Sequence, residues 1–175
     1  MAMTLDDLWS IIRAEQASGK RYMMMETAVY TTHFLYVKEL LAGGKFGRVQ
    51  FLRGAHYQDM ENWPVYWTGL PPMHYATHAL APVIAAAGKR PNKVHCFGSG
   101  KMREDLTSYY GNPFPVETAI YQFEGSELAA EVTRTLFHTA HAYTESFNIY
   151  GETMTFEWQQ LEEEEPVVFE MEPLK

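Results

Sequence analysis

The chain has 175 residues, of which 46% are hydrophobic and 21% charged, and its formal net charge is −8. This length suits one domain with its own core, and the negative charge argues against a nucleic-acid backbone as partner, because phosphate contacts need clustered cations. No apolar run approaches the roughly 20 residues of a membrane span, and the single cysteine, Cys96, excludes an internal disulfide framework. The acidic N-terminus does not resemble a signal peptide. We therefore expect residues 1–175 to form one cytoplasmic domain that binds neither nucleic acid nor a membrane.

Residues 4–26 predict a helix followed by a strand. Apolar residues recur at helical spacing through residues 5–12, Thr4 can cap the start, and Gly19 can end the helix. The next segment, RYMMME, is short and apolar, which predicts a fully buried strand that ends at Glu26.

A second helix and a longer strand follow. Thr31 or Thr32 can cap the helix, and the AGG segment can end it. Residues 47–59 (GRVQFLRGAHYQD) place apolar side chains at alternate positions, which indicates a strand.

The segment PPMHYATHALAP predicts a third helix that ends near Gly88, with His74 and His78 on one face. Such a pair could chelate zinc. However, Tyr75 stands where a zincin has glutamate and no third ligand is identifiable, so we predict no metal site. Pro82 cannot donate to the carbonyl of His78, and imidazole suits proton transfer near neutral pH. A catalytic face and a core helix with hydrogen-bonded histidines both remain open at this point.

From Pro91 onward the pattern changes to strands separated by turn residues. This order predicts an α+β fold with a predominantly antiparallel open β-sheet and helices packed on one face. The opposite face is rich in Tyr, Phe and Thr, and we expect it to pack on a second subunit as a homo-oligomer. The predicted strands are KVHCFGSG, VETAIYQFEG, LAAEVTRTLFHT, AYTESFNIYG, ETMTFEWQ and PVVFEME.

Three side chains outside the third helix are candidates for a binding site. Trp63 and Trp67, in the loop before that helix, could form an apolar platform for a sugar or nicotinamide ring, although loop packing is the commoner role of any one such aromatic. Glu26, at the end of a predicted buried strand, needs a partner or a shifted pKa. The glycine-rich segments AGGKFG and GSGK lack the context and residues of a dinucleotide fingerprint or a P-loop.

The segment GKRYMMMETAVYTTHFLYVKELLAGGKFGRVQFLRGAHYQD, the Trp-rich loop and MHYATHALAPVIAAAG together resemble the C-terminal domain of the glucose–fructose oxidoreductase / inositol dehydrogenase / MocA family. The resemblance implies a dihydrodipicolinate-reductase-like fold, with residues 1–20 as a helix near the junction to an N-terminal Rossmann domain. It implies a sugar or polyol-like substrate, and NAD or NADP as cofactor of the full-length parent. Because the Rossmann domain binds the cofactor in that family, we expect no tight binding of NAD or NADP by this chain alone.

The resemblance also implies site residues. The usual dehydrogenases of the family have Asp and His four apart; His78 matches the His, and His74 replaces the Asp. The segment HYATHALAP is closer to the LYPTHGLGP typical of NAD-dependent glycosidases in the superfamily, in which Tyr75 and His78 fall on active-site positions. Glu26 and His56 also fall where that subgroup has active-site groups, His56 in place of a tyrosine. We therefore predict His78, Tyr75 and His74 as catalytic residues, and Glu26, His56, Trp63 and Trp67 as substrate-binding residues.

Three functions remain open from the sequence. The first is the substrate domain of an NAD(P)-dependent oxidoreductase. The second is the same domain of an NAD-dependent glycosidase, which removes a hydride from the sugar, eliminates the leaving group and returns the hydride. The third is a non-catalytic oligomerisation or interaction module.

Overall fold

The computed structural model describes residues 2, 4–159, 161 and 163–172. Three short 3₁₀ helices span Ala28–Tyr30, Val65–Trp67 and Pro72–Tyr75. The α-helices are α1 (Leu5–Ser18), α2 (Thr32–Ala42), α3 (Thr77–Ala87) and α4 (Glu104–Thr107). The strands are β1 (Val49–Tyr57), β2 (Pro91–Ser99), β3 (Val116–Phe123), β4 (Ala129–Thr135), β5 (Thr144–Gly151), β6 (Met154–Glu157) and β7 (Val167–Glu170).

The seven strands form one open sheet in the order β2-β3-β4-β1-β5-β6-β7. Only the β1–β4 pair is parallel among the described strands, and every other pair is antiparallel. The predicted α+β class and the six strands after residue 90 are therefore confirmed. No helix in the described part of the chain is both long and apolar enough to cross a membrane.

The predicted ends of the first two helices are confirmed by their capping contacts. The hydroxyl of Thr4 accepts a hydrogen bond from the backbone N–H of Asp7, and Gly19 adopts the left-handed conformation that ends α1. Thr31 is the residue that caps α2, because its hydroxyl accepts from the backbone N–H of Phe34.

Helix α3 lies directly against β1 at Gly54. A Cβ added to Gly54 would stand 2.1 Å from the carbonyl oxygen of Ala79 and 3.1 Å from Val83 Cγ2, so only glycine allows this approach. His56 follows Gly54 by two residues and therefore points to the same face of the sheet, beneath α3. The main core lies at this contact and includes Phe34, Val37, Leu52, Ala79, Val83, Val132, Phe147, Ile149 and Phe156.

The prediction of a buried strand at residues 21–26 is wrong. The segment has no regular secondary structure, Tyr22, Met23 and Met25 are exposed, and Glu26 is its buried residue. Among the described residues no strand pairs with it, and an apolar run cannot be buried without neighbours. Helix α1 contains no buried residue, so its apolar side is also exposed to solvent.

The prediction of one helix carrying both histidines is also wrong, because the segment is divided. His74 belongs to the 3₁₀ helix Pro72–Tyr75 and is exposed, whereas His78 lies in the first turn of α3 and is largely buried. The two side chains therefore do not share a helical face. Pro82 lies in the interior of α3, and Gly88 ends the helix as predicted.

Side chains from the sheet cause this division. The backbone N–H of Met73 donates to Glu117 Oε2 at 2.7 Å, and the carbonyl of Tyr75 accepts from Arg134 Nε at 2.8 Å. In a continuous helix that carbonyl would accept from Ala79, whose N–H bonds to the Ala76 carbonyl instead. The chain thus leaves the helical hydrogen-bond pattern at Tyr75.

Gly54→Ala tests the contact between α3 and β1. We expect the substitution to lower the free energy of unfolding by about 1–3 kcal/mol, because the added methyl group must displace the backbone of α3. Urea denaturation measures this change. Gly43→Ala is the matched control, since Gly43 has a negative φ and the nearest atom to its added Cβ is 3.3 Å away. An equal loss in both variants would contradict the importance of this contact.

Candidate functional site

A hydrogen-bonded chain of three side chains forms the centre of the site. His78 Nδ1 lies 2.8 Å from Glu26 Oε1, and His78 Nε2 lies 3.0 Å from the hydroxyl of Tyr75. A carboxylate can only accept hydrogen bonds, so Nδ1 of His78 carries a proton and donates a hydrogen bond to Glu26. In the neutral imidazole Nε2 is then the acceptor, and the Tyr75 hydroxyl donates to it.

Three separate backbone segments position these hydrogen-bonded side chains. Glu26 Oε1 also accepts from the backbone N–H of Ala28, where a 3₁₀ helix begins, and this bond holds the carboxylate in place. His78 is carried by the first turn of α3, and Tyr75 by the segment just before that helix. Burial raises the pKa of the Tyr75 phenol, and the positive charge of Arg134 opposes that effect.

His56 lies beneath this chain on β1 and is only 1% exposed. Its ring packs edge-on against the rings of His78 and Tyr143, with centroids 5.3 Å away in each case. Among the described residues neither ring nitrogen has a hydrogen-bond partner; Nε2 lies 3.9 Å from Glu145 Oε1. Burial first, and then the charge of Arg134, lower the pKa of His56 to about 2, so this imidazole is neutral at physiological pH.

A cavity of about 230 Å³ opens beside His78. Its walls combine apolar and aromatic groups with hydroxyl, amide and carboxylate groups, the mixture found in sites for small polar molecules. The hydroxyl of Tyr143 donates a hydrogen bond to Glu145, and both residues face the cavity. Burial, followed by this hydrogen bond, raises the pKa of Tyr143. The lining residues are Ala28, Thr31, His78, Pro82, Tyr143, Thr144, Glu145, Ser146, Phe147, Trp158, Gln159 and Leu161.

The structure brings together four of the seven predicted site residues: Glu26, His56, Tyr75 and His78. The side chain of His74 is exposed, and within the described residues no hydrogen bond, ion pair or ring contact joins it to the other four. The catalytic roles of His74, Tyr75 and His78 and the substrate-binding roles of Glu26 and His56 stay predictions.

The two predicted tryptophans lie behind the group, away from the cavity. Trp67 packs on the ring of Tyr75, with a centroid distance of 5.0 Å, and Trp63 packs edge-on against Trp67. Neither lines the cavity; the tryptophan that does is Trp158. Trp63 and Trp67 therefore support Tyr75 from behind, and their contact with a substrate stays a prediction.

Sequence reasoning missed Tyr143, Glu145, Trp158 and Arg134. The first three lie on or beside β5 and β6, far along the chain from the histidines, and no local motif marks them. Arg134 had a signal. It alternates with the apolar residues Ala130, Val132 and Leu136, which share its buried face, and a charged residue at such a position needs a specific reason.

One glycine-rich segment lies in a context different from that of a dinucleotide cradle. The AGGKFG segment connects the end of α2 to β1, whereas a phosphate cradle requires a glycine-rich turn that leads into the N-terminus of a helix. Among the residues that the structure describes, no group of three or more His, Cys, Asp and Glu side chains is placed to hold a metal ion.

No protein-family model matches the chain. Curated proteins similar to it include the glycosyl hydrolase family 109 protein 1 of Bacteroides fragilis, which is 32% identical over 90 residues (46% of this chain and 19% of that protein). The family 109 protein of Porphyromonas gingivalis is 29% identical over 90 residues, with the same coverage. The matched region is thus about a fifth of the length of these relatives.

Solved structures match the chain over nearly its whole length. An NAD-binding oxidoreductase of Klebsiella pneumoniae superposes with a TM-score of 0.75 at 15% identity, covering 93% of this chain and 46% of that one. The aldose-aldose oxidoreductase of Caulobacter crescentus, solved with glycerol, gives 0.73 at 15% identity, covering 98% and 54%. An inositol dehydrogenase homologue of Azotobacter vinelandii, solved with NAD⁺, gives 0.72 at 11% identity, covering 97% and 48%. The fold implied by the resemblance to the glucose–fructose oxidoreductase / inositol dehydrogenase / MocA family is confirmed, and the chain spans about half of these proteins.

The depressed pKa of His56 predicts a loss of stability in acid. The unfolded chain binds a proton on this imidazole below about pH 6.5, whereas the folded chain stays neutral there down to about pH 2. Acidification between these values therefore favours unfolding, by up to about 1.4 kcal/mol per pH unit from this group. His56→Phe should show a correspondingly shallower fall in urea denaturation series between about pH 7 and pH 5.

His74→Ala is the control for this prediction, because it removes an exposed imidazole and should keep the wild-type slope. Identical slopes for the wild type and His56→Phe would mean that His56 takes up its proton in the folded chain.

Proposed function

We propose that this chain is the substrate-binding and oligomerisation domain of an NAD(P)-dependent oxidoreductase that acts on a sugar or polyol-like compound. The observation that carries the proposal is the hydrogen-bonded series Glu26–His78–Tyr75, whose central member, His78, lines the cavity. Solved structures of the same fold include proteins named aldose-aldose oxidoreductase and inositol dehydrogenase homologue, which supports this class of substrate. A cytoplasmic location is part of the proposal and fits the single cysteine.

The three side chains are suited to the proton part of such a reaction. Oxidation of an alcohol removes a proton from its hydroxyl group, and His78 Nε2 can accept one, either directly or through the hydroxyl of Tyr75. The carboxylate of Glu26 then stabilises the imidazolium that forms, since it already accepts the hydrogen bond of Nδ1. The roles we assign are therefore His78 as base, Tyr75 as proton carrier and Glu26 as the group that orients His78.

The cavity supports a small polyhydroxylated substrate. Trp158 and Phe147 can lie against the apolar face of a ring, while Ser146, Glu145 and Gln159 can bind hydroxyl groups. Its volume of about 230 Å³ is below the roughly 300–1,000 Å³ of complete ligand pockets. This difference fits a site whose remaining wall, and whose cofactor, come from another domain.

The exposed N-terminal region is our candidate for the contact with that domain. Leu5, Trp9 and Ile12 on α1 are exposed, as are Met23 and Met25 in the extended segment that follows. Exposed apolar side chains at this density are typical of a surface that another protein unit covers. We assign this surface to the cofactor domain, in line with the expected place of residues 1–20 near a Rossmann junction.

NAD-dependent glycoside cleavage is the second candidate, because the curated relatives are glycosyl hydrolase family 109 proteins. Both chemistries need a base near the carbon that exchanges the hydride, so Tyr75 and His78 serve either one. They differ in products. An oxidoreductase accumulates reduced cofactor as substrate is consumed, whereas the glycosidase releases its leaving group and regenerates NAD.

The full-length protein should therefore be assayed with NAD and with NADP, on a panel of sugars and polyols and on nitrophenyl glycosides. Reduced cofactor without nitrophenol supports the oxidoreductase, and nitrophenol release that requires NAD supports the glycosidase. If neither product forms with any compound, the non-catalytic interaction module becomes the better description. Calorimetric titration of this chain alone with NAD and NADP tests the division between domains, and tight binding would contradict it.

In the active assay, His78→Ala should reduce turnover by about 10²–10⁴-fold, because a general base contributes this much to rate. His74→Ala is the matched control and should change turnover much less, and Tyr75→Phe should lie between the two. Removal of His78 also leaves the buried Glu26 carboxylate with one partner fewer, at a cost of about 1–3 kcal/mol. Rates must therefore be measured well below the melting temperature of each variant. Normal turnover by folded His78→Ala would end the catalytic assignment.

The uncovered face of the sheet supports a homo-oligomer. Phe97, Ile120 and Phe169 share the face opposite Gly54 and are 65%, 38% and 54% exposed. Light scattering at micromolar concentration should give at least the mass of a dimer. Phe97→Glu combined with Ile120→Glu should yield monomers, whereas Tyr36→Glu, at an exposed position on α2, should not. A monomeric wild type would contradict this assembly.

A further inference from the structure

Four polar side chains form a row across the centre of the sheet. Glu117 on β3 is the register partner of Arg134 on β4, Arg134 is that of His56 on β1, and His56 is that of Glu145 on β5. Residues directly opposite each other on neighbouring strands point to the same face of a sheet. All four therefore lie on the face beneath the segment that leads into α3. We call them the polar row.

Arg134 is the most deeply enclosed member of the polar row, with no exposed surface. Its guanidinium makes four hydrogen bonds. Nε donates to the carbonyl of Tyr75 at 2.8 Å, and Nη2 donates to Gln58 Oε1 at 2.8 Å. Nη1 donates to the carbonyls of His56 at 3.0 Å and Thr135 at 2.6 Å.

This environment is unusual for a buried cation. Burial lowers the pKa of Arg134 to about 10, so the guanidinium remains charged at neutral pH. Within the described residues no carboxylate pairs with it, and its partners are carbonyl oxygens alone. Burying a charge without an opposite charge is unfavourable, and apolar side chains could fill such a space at a lower free energy. The presence of a guanidinium here therefore points to a role for its hydrogen bonds, which an apolar side chain could not make.

The contacts of Arg134 with Tyr75 indicate this role. Tyr75 is the last residue of a 3₁₀ helix, and Ala76 separates it from α3, so helical hydrogen bonds do not fix its carbonyl. Arg134 Nε donates a hydrogen bond to that carbonyl. Its guanidinium carbon also lies 5.2 Å from the centroid of the Tyr75 ring, within the range of a cation–π contact. Both the backbone and the ring of Tyr75 are thus held by one guanidinium.

We propose that Arg134 is a positioning residue that holds the hydroxyl of Tyr75 against His78 Nε2, while Glu26 fixes the tautomer of His78 by accepting from Nδ1. The guanidinium acts through Tyr75 and touches neither His78 nor the cavity. The use of this arrangement in turnover depends on the proposed function. The arrangement itself belongs to the chain and can be tested without any substrate.

The charge of Arg134 adds a second effect to its geometry. It opposes protonation of the neighbouring His56 and counteracts the rise that burial causes in the pKa of Tyr75. Glu145 and Glu26 act on the Tyr75 phenol in the opposite sense. A lysine would retain the charge but could not make the four directed bonds, so the two contributions of Arg134 can be separated.

Long-range proton–nitrogen NMR spectra of the histidine rings report which nitrogen carries the proton. In the wild-type chain, at a pH where His78 is neutral, we expect a single Nδ1–H form. Arg134→Gln should keep this form, because Glu26 still accepts from Nδ1, but it should shift the Nε2 resonance downfield through loss of the hydrogen bond from Tyr75, and Arg134→Lys should restore the resonance in part. Glu117→Gln is the matched control, because it alters the adjacent member of the polar row yet retains an acceptor for the Met73 N–H, and it should keep the wild-type spectrum.

In a full-length protein that turns over, Arg134→Gln and Arg134→Lys should lower kcat by about 10–100-fold, since a small misplacement of reacting groups has this effect, whereas Glu117→Gln should not. KM should change little, because Arg134 does not contact the substrate cavity. The absence of any turnover would count against the proposed function alone, because the NMR measurement of the Nε2 resonance needs no substrate.

Three results would overturn the proposal. The first is an unchanged Nε2 resonance of His78 in folded Arg134→Gln. The second is an equal shift of that resonance in Glu117→Gln, which would assign the effect to the polar row as a whole. The third is failure of both Arg134 variants to fold, which would make Arg134 a residue required for folding rather than for positioning.

Discussion

The approach of α3 to β1 at Gly54 is the contact on which the rest of the site depends. Because residue 54 has no side chain, the backbone of the helix rests on the sheet, and the first turn of α3 carries His78 over the polar row. The same closeness brings the ring of His78 within reach of Glu26, which comes from an earlier part of the chain. A side chain at position 54 would separate these layers, and each of the short distances in the site would lengthen.

Local signals in the sequence predicted the local features well. Thr4, Gly19, Thr31 and Gly88 mark helix ends because capping depends on a few neighbouring atoms. The strands after residue 90 were recognisable by alternation and by turn residues. Glu26, His56, Tyr75 and His78 were identified by resemblance to a known family, since neither their spacing nor their composition decided between a catalytic face and a core helix.

The errors arose where the outcome depends on distant residues. Residues 21–26 have the composition of a buried strand, but a strand also needs a neighbour, which a local pattern cannot reveal. The third helix is divided because Glu117 and Arg134, more than forty residues away, bind the backbone of the segment before it. The pairing of β5 with β1 brings Tyr143 and Glu145 to the site, and no residue pattern near His78 predicts this pairing.

The strand order also determines when in folding the site can exist. β1 pairs on one side with β4 and on the other with β5, so His56 contacts Arg134 across 78 positions of sequence. Glu26 and His78 are 52 positions apart. Contacts of such separation must overcome loop-closure entropy and form after local ones. We therefore expect helices and hairpins to form first, and His78 to acquire its hydrogen bonds to Glu26 and Tyr75 only when the distant parts of the chain have come together. A partly folded chain would contain most of the secondary structure and none of the chemistry.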